Sequence, residues 1–368
     1  MDEATKTRLK AEIMKTLKEL VAIPGIPGSE QKVVAYLRDA LTPLADRVEI
    51  DTFGNLYAYK SGGRPGPTFM VAAHSDEVGF IVRAIEEKGF IRFDRLGGAP
   101  ENMLLSQRIL VNGTHKGVIG VKSGHLQRLD EGGVKPTKLY DMFIEVGATN
   151  AAEVAAMGIK VGDTITFDYP LTEFTNSDRF FTHAMDDRWG LAILIQLMRE
   201  LKGLQFDGTL VVAATVQEEA GLRGSTVAAF HVNPDYAIAL DTMPAGDTPD
   251  VRTAIDHPVY VGRGPVFTLA TGTGTTVNPG VKAMLYEAAE AAGAPYQPAL
   301  MLLKGNTDAS AMQLVREGIP VGNIGLPRRY SHSSAEMGDQ NDGLYALMVL
   351  EKMVEGMGQA KAKLEFIR

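Results

Sequence analysis

Residues 208–221 read GTLVVAATVQEEAG, an unbroken apolar run followed at once by two adjacent carboxylates. A Val-rich run of that length, bounded by Gly and polar residues, predicts a strand buried on both faces, as in the parallel sheets of α/β proteins. At its end Glu218 and Glu219 point in different directions, so one can coordinate a metal while the other addresses a water. Desolvating two carboxylates side by side is costly unless something positive compensates them, and a bound cation does so.

The same texture recurs on either side. TFMVAAH (68–74) is a compact apolar run that stops at His74, and DYAIALD (235–241) stops at Asp241. Parallel sheets bring their strand ends to one rim, where ligands bind. Helical spacing fills the intervals: Leu9, Ile13, Leu17, Leu20 and Val21 predict a first helix that ends at AIPGIPGS, Ser29 is placed to cap a second near 30–41, and DDRWGLAILIQLMREL, PGVKAMLYEAAEAAG and DGLYALMVLEKMVEGMGQA read as later helices. Between Ser75 and Thr175 the pattern changes to short β-rich pieces separated by glycines, such as GFIVRAI, GFIRFDRL and RILVNG, with one helical piece at NAAEVAAMG. The reading is an α/β three-layer sandwich with a mostly parallel central sheet, interrupted by a small β-barrel-like insert. Residues 1–74 and 178–368 form the discontinuous α/β unit and 75–177 the insert.

Composition narrows the function. The 368 residues are 45% apolar and 22% charged, with net charge −8 and scattered basic residues, which excludes a polyphosphate-binding surface and makes nucleic acid an unexpected partner. No cysteine is present, so any zinc must be held by His and carboxylates. The charged N-terminal stretch has no apolar leader and no run approaches a membrane span, so the expectation is a cytoplasmic protein without membrane association.

Taken singly, the remaining candidates are modest. Asp76, two residues after His74, is placed to reach the second imidazole nitrogen and fix its tautomer. Asp186 and Asp187 in MDDRWG have capping as their ordinary role. His332 in RRYSHSSAE would alone be a surface residue, and GNTDA (305–309) adds a polar loop. Together, two His and three carboxylates suit two metal ions, each taking one His and one terminal carboxylate while an Asp bridges both at roughly 3.5–4 Å.

The ordered set His-x-Asp, Asp-Asp-Arg, Gln-Glu-Glu-x-Gly-Leu-Arg-Gly, Ala-Leu-Asp, Thr-Asp-Ala and Arg-Tyr-x-His-Ser, with KGVIGVK, MFIEVGA and MGIKVGD in the insert, resembles the glutamyl and tetrahedral (TET) aminopeptidases, which are co-catalytic metallopeptidases. The likeness spans nearly the whole chain. It implies a zinc-peptidase-like α/β fold with a PDZ-like insert used in assembly, and a homo-oligomer built from dimers up to a tetrahedral dodecamer. It implies His74, Asp186 and Asp241 around one metal, Asp186, Glu219 and His332 around the other, Asp76 orienting His74, and Glu218 as general base. Zinc is the expected ion, with cobalt also compatible with such ligands. The expected activity is removal of N-terminal residues from short peptides: two divalent ions polarise the first peptide carbonyl and acidify a water, and Glu218 takes its proton and returns it to the leaving amine.

Alternatives from the same residues are a di-metal deacylase or carboxypeptidase, a metal-independent glycoside hydrolase using Glu218 and Asp241, or a non-catalytic peptide-binding scaffold. The chain departs from the family pattern at His183, Asn306 and Ser334, where Lys, Gly and Pro are expected. His115, His125, His231 and His257 read as ordinary loop or surface histidines. Arg263 and Arg328 can meet an acidic substrate side chain only where the fold points them into the pocket, so the preferred N-terminal residue stays open between acidic, aliphatic and basic.

Overall fold

A computed structural model of the chain describes residues 1–123, 137–301 and 305–364. Helices α1 (Glu3–Val21) and α2 (Gln31–Leu41) precede strands β1 (Arg47–Ile50), β2 (Leu56–Ser61) and β3 (Gly63–His74). Six short strands follow, β4 (Gly79–Ile85), β5 (Ile91–Leu96), β6 (Arg108–Val111), β7 (His115–Gly120), β8 (Phe143–Glu145) and β9 (Thr164–Phe167), with α3 (Ala151–Ala156) before the last. Then come β10 (Thr172–Glu173), β11 (Arg179–Thr182), α4 (Met185–Glu200), β12 (Phe206–Thr215), α5 (Arg223–Val232), β13 (Tyr236–Pro244), α6 (Thr253–Asp256), β14 (Val266–Thr271) and α7 (Pro279–Ala292). The described chain closes with β15 (Gln297–Met301), α8 (Asp308–Met312), β16 (Val321–Arg328), β17 (Glu336–Asp339), α9 (Gln340–Glu355) and a short α10 (Ala360–Leu364).

Eight strands form one sheet in the order β1-β2-β12-β3-β13-β16-β14-β15, parallel from β12 to β16, antiparallel through β2 and β1 at one edge, and antiparallel again between β16 and the parallel pair β14-β15 at the other. Because side chains alternate along a strand, Val71 and Ala73 of β3 face a core built with α1, α2, α4, α7 and α9, while Met70 and Ala72 face a smaller one built with α5 and α8. This makes three layers. Trp189 is fully buried between α4 and α9, edge-on to Phe180. A Cβ at Gly343 would lie 2.6 Å from its indole nitrogen, so glycine there lets the two helices close. Truncating such a residue costs about 3–5 kcal/mol.

Strands β4–β9 close a separate barrel, in the order β4-β5-β8-β7-β6-β9, around its own core of Phe80, Phe93, Ile109, Ile144 and Phe167. It leaves the main sheet directly after His74. Among the described residues no helix is long and apolar enough to cross a membrane.

Three local expectations are corrected. Ser29 caps nothing: the residue preceding α2 is Glu30, whose side chain turns instead to the backbone N–H groups of Gly28 and Gln217. Asp241 does not end its strand, since β13 runs three residues further, to Pro244. Asp186 and Asp187 have non-helical dihedrals, and regular helix begins only after them.

Candidate metal centre

Strand register brings the candidates level. His74 pairs with Thr215 at the ends of β3 and β12, while Ala239 of β13 pairs with Ala72, which sets Asp241 beside His74 on the rim. Glu218 and Glu219 follow β12 by three and four residues. Asp186 arrives at the non-helical start of α4 and His332 from the loop between β16 and β17; Asp186, Glu218, Glu219, Asp241 and His332 line one cleft of about 330 Å³, with His74 buried behind Asp186 and Asp241.

The two histidines are held alike. His74 Nδ1 lies 3.0 Å from the backbone oxygen of Asp76, and His332 Nδ1 lies 3.2 Å from that of Gly98. Their Nε2 atoms face carboxylates: His74 meets Asp186 Oδ1 at 3.0 Å and Asp241 Oδ1 at 3.9 Å, and His332 meets Asp186 Oδ2 and Glu219 Oε1, both at 3.2 Å. Asp186 thus offers one oxygen to each histidine. An imidazole anchored at one nitrogen by a carbonyl, with the other aimed into a cluster of acids, is the arrangement of a metal ligand.

The acids around them have too little positive charge. Burial, then Asp241 and Glu219, push the Glu218 carboxyl well above its ordinary range, and burial with Asp186 does the same to Asp241. Burial opposes the charged form of Asp186 as well, yet Arg328, His332 and His74 hold it well below the usual range. His332 loses charge by burial but is pulled up to about 10 by Asp186 and Glu219. Glu219 Oε1 is buried and makes no hydrogen bond, despite its proximity to His332. Three groups of His and carboxylate atoms, Asp186/Glu219/His332, His74/Glu218/Glu219 and His74/Asp187/Asp241, lie within 4.8 Å of one another. Nitrogen and carboxylate donors in such triads suit divalent ions, and the orphaned oxygen gives one a ready ligand.

The surrounding supports were only partly visible in sequence. Asp76 meets His74 Nδ1 through its carbonyl; its carboxylate Oδ1 stands 3.6 Å from that nitrogen and accepts the backbone N–H of Glu218, while Oδ2 accepts that of Glu219, each at 3.0 Å. Asp187 keeps the capping role, accepting the Gly190 N–H at 3.1 Å. Glu336 was not anticipated: it accepts N–H groups of Asp186 and His332 and pairs with Arg328, and no motif marks it. Arg328 lines the cleft, with Nη2 2.5 Å from Asp186 Oδ2. Arg263 instead stacks on Tyr260. Thr215 donates to Asp308 of the GNTDA loop beneath the site.

Backbone strain gathers here too. Ala184, Gln217, Tyr330 and His332 have φ of 50°, 56°, 59° and 58°, each being or lying within two residues of a candidate ligand or the candidate base. Of the departures from the family pattern, Asn306 lines the cleft, Ser334 donates to Gln107, and His183 packs against Glu77, its imidazole pushed down to about 3 by burial and Arg188. His231 bonds Glu49 at the surface, His257 bonds the carbonyl of Pro244, a residue of the cleft wall, and His125 lies outside the described residues.

The sequence profile of the M42 glutamyl aminopeptidases matches residues 54–348. A lysyl aminopeptidase of Pyrococcus furiosus is 33% identical, over 89% of this chain and 92% of its own. Among solved structures, an aminopeptidase of the archaeon Desulfurococcus kamchatkensis superposes with a TM-score of 0.91 at 32% identity, covering 97% of this chain and 99% of its own. The TET1 peptidase of Pyrococcus horikoshii, which can assemble into a tetrahedron or a large octahedral shell, does so at 0.82 with 28% identity, covering 93% and 99%.

Proposed function

The chain belongs to the M42 glutamyl aminopeptidase family of metal-dependent peptide-bond hydrolases, and on that premise we propose that it removes N-terminal residues from short peptides in the cytoplasm with two divalent ions, zinc foremost, and Glu218 as general base. The observation that carries this reading is the matched pair of histidines, each anchored at Nδ1 by a backbone carbonyl and sharing Asp186 at Nε2.

His74, Asp186 and Asp241 would hold one ion and Asp186, Glu219 and His332 the other. Bound there, the ions would polarise the scissile carbonyl and lower the pKa of a water. Glu218 stands in the cleft wall without being a ligand in this assignment, and its burial among acids raises its proton affinity, which suits a group that takes a proton and then releases it to the leaving amine. Asp76 fixes the backbone of both glutamates and the tautomer of His74, so it acts on the reaction by positioning.

The α/β unit, residues 1–74 and 178–368, is assigned the chemistry and the insert, 75–177, a part in assembly. A homo-oligomer built from dimers, up to a dodecamer, is the expected state, supported by the assembly of the Pyrococcus horikoshii relative. The decisive variant is Glu218→Gln: metal content measured by elemental analysis stays at wild-type level while turnover of aminoacyl anilides disappears. Turnover that survives in a metal-loaded Glu218→Gln protein removes Glu218 from the role.

A further inference from the structure

Among the described residues, the barrel approaches the centre through the connection between β5 and β6. The loop after β5 places the Gly98 carbonyl 3.2 Å from His332 Nδ1, and the next strand's approach places Gln107 Oε1 2.7 Å from the Ser334 hydroxyl, which donates to it. Gly97, at φ +89°, turns the loop so closely against the site that a Cβ there would stand 3.4 Å from Glu219 Cβ. A Cβ on Gly98 would stand 2.9 Å from His332 Nδ1 itself. The two residues approached, His332 and Glu219, belong to the same candidate triad with Asp186. His74 is anchored from its own strand end, by Asp76.

From this asymmetry we infer that the β4–β9 barrel completes one metal position and not the other, which Asp76 supports from the link before β4: the Gly97–Gly98 loop and Gln107 are positioning residues that hold His332 in its ligand geometry. His332 needs holding. Its own φ of 58° is a conformation that costs a non-glycine residue energy, and its N–H is given to Glu336. A carbonyl on Nδ1 forces the proton onto that nitrogen and leaves Nε2 with its lone pair facing Asp186 and Glu219, which is the tautomer a metal requires. Movement of the barrel relative to the α/β unit therefore reaches the Asp186/Glu219/His332 position first.

The inference rests on the two-metal reading above, and the test separates the two. Zinc binding is measured by calorimetry and by metal content after dialysis, on the full chain, for wild type, Gly98→Ala, Gln107→Ala, Gln107→Glu and His332→Ala. Gly98 has no left-handed φ, so alanine there tests the space beside the imidazole and not the turn. The expected result is that Gly98→Ala keeps one tight zinc and loses roughly 10–100-fold in affinity for the second, the usual consequence of removing a ligand's outer support. Gln107→Ala shifts the same site in the same direction, and Gln107→Glu, which keeps the acceptor, restores it. Wild-type affinity at both positions in Gly98→Ala and Gln107→Ala overturns the inference; should Gly98→Ala not fold, the Gln107 pair decides alone. A wild-type protein that binds no second zinc, or His332→Ala that binds two as tightly as wild type, defeats the underlying metal assignment instead.

Discussion

Glu30 Oε1 lies 3.1 Å from the backbone nitrogen of Gln217 and accepts its N–H, although the two residues are 187 positions apart. The contact is one of four in succession: Asn55 accepts from Val216, Glu30 from Gln217, and the two carboxylate oxygens of Asp76 from Glu218 and Glu219. The four successive N–H groups from Val216 to Glu219 are thus taken by side chains from elsewhere in the fold. Gln217 needs this grip, since its φ is 56°. Replacing Glu30 by Leu removes one acceptor, and a shift of ~1 Å in a catalytic group can cost about 100-fold in rate. The expected outcome is a kcat lower by about 10–100-fold with KM changed less than about 3-fold, and faster amide exchange in a peptide spanning 215–222. Glu30→Gln keeps an oxygen at Oε1 and restores both. Unchanged kcat in a folded Glu30→Leu protein would show that the other three contacts suffice.

This turn also shows where sequence reading reaches its limit. The run ending at Thr215 and the acids after it declare themselves, because burial of a parallel strand leaves a local apolar signature. His74 and Asp241 are legible for the same reason. Glu30, Glu336 and Gly98 are not: the two carboxylates accept backbone N–H groups and Gly98 offers its own carbonyl to His332, and contacts made by or to the backbone impose no periodicity on the sequence. Ser29 looked like the cap because caps are local, yet it is Glu30 that is buried, drawn into the tertiary contact. Asp186 and Asp187 are chemically identical neighbours, and only the fold sends one to the histidines and the other to Gly190.

Removing the ions should destabilise the protein as well as silence it. Chelation leaves Asp186, Asp187, Glu218, Glu219 and Asp241 facing one another with His74, His332 and Arg328 as the nearest positive groups. An ion present at about 1,000 times its dissociation constant contributes about 4 kcal/mol through linkage. Thermal unfolding after exhaustive chelation is expected several degrees below that of the holoprotein, with activity and melting temperature both restored by added zinc. Full activity after chelation would contradict the metal-dependent reading.

Glu351 of α9 gives a pH dependence remote from the centre. Burial, then the neighbouring Glu200 and Glu355, push its carboxyl up to about 7. The folded state therefore binds this proton more tightly than the unfolded chain, where a Glu titrates near 4.5. Its favourable contribution is complete below that lower value and is lost as pH rises through about 7. Linkage over the whole interval amounts to about 3 kcal/mol, and partial exposure with screening reduces it to about 1 kcal/mol. Glu351→Gln should therefore raise the melting temperature by a few degrees at pH 8 and leave it unchanged at pH 4. An equal shift at both pH values would assign the effect to packing.

Arg328 decides the last prediction, which concerns the preferred N-terminal residue. It is the cation in the cleft wall among the described residues, but its guanidinium is buried and divided between Asp186 and Glu336. A substrate carboxylate would have to compete with two fixed ones, one of them a proposed metal ligand, and breaking a buried pair from one side costs about 3–5 kcal/mol. Met243, Met301 and Ile324 supply apolar wall, and Thr268, Thr271 and Asn306 neutral polar wall. Leu- or Met-anilides are thus expected to show kcat/KM at least equal to that of the Glu-anilide. A Glu-anilide favoured by more than about 10-fold, and losing that advantage in Arg328→Lys while the Leu-anilide is unaffected, would mean that Arg328 leaves its two acids when substrate enters.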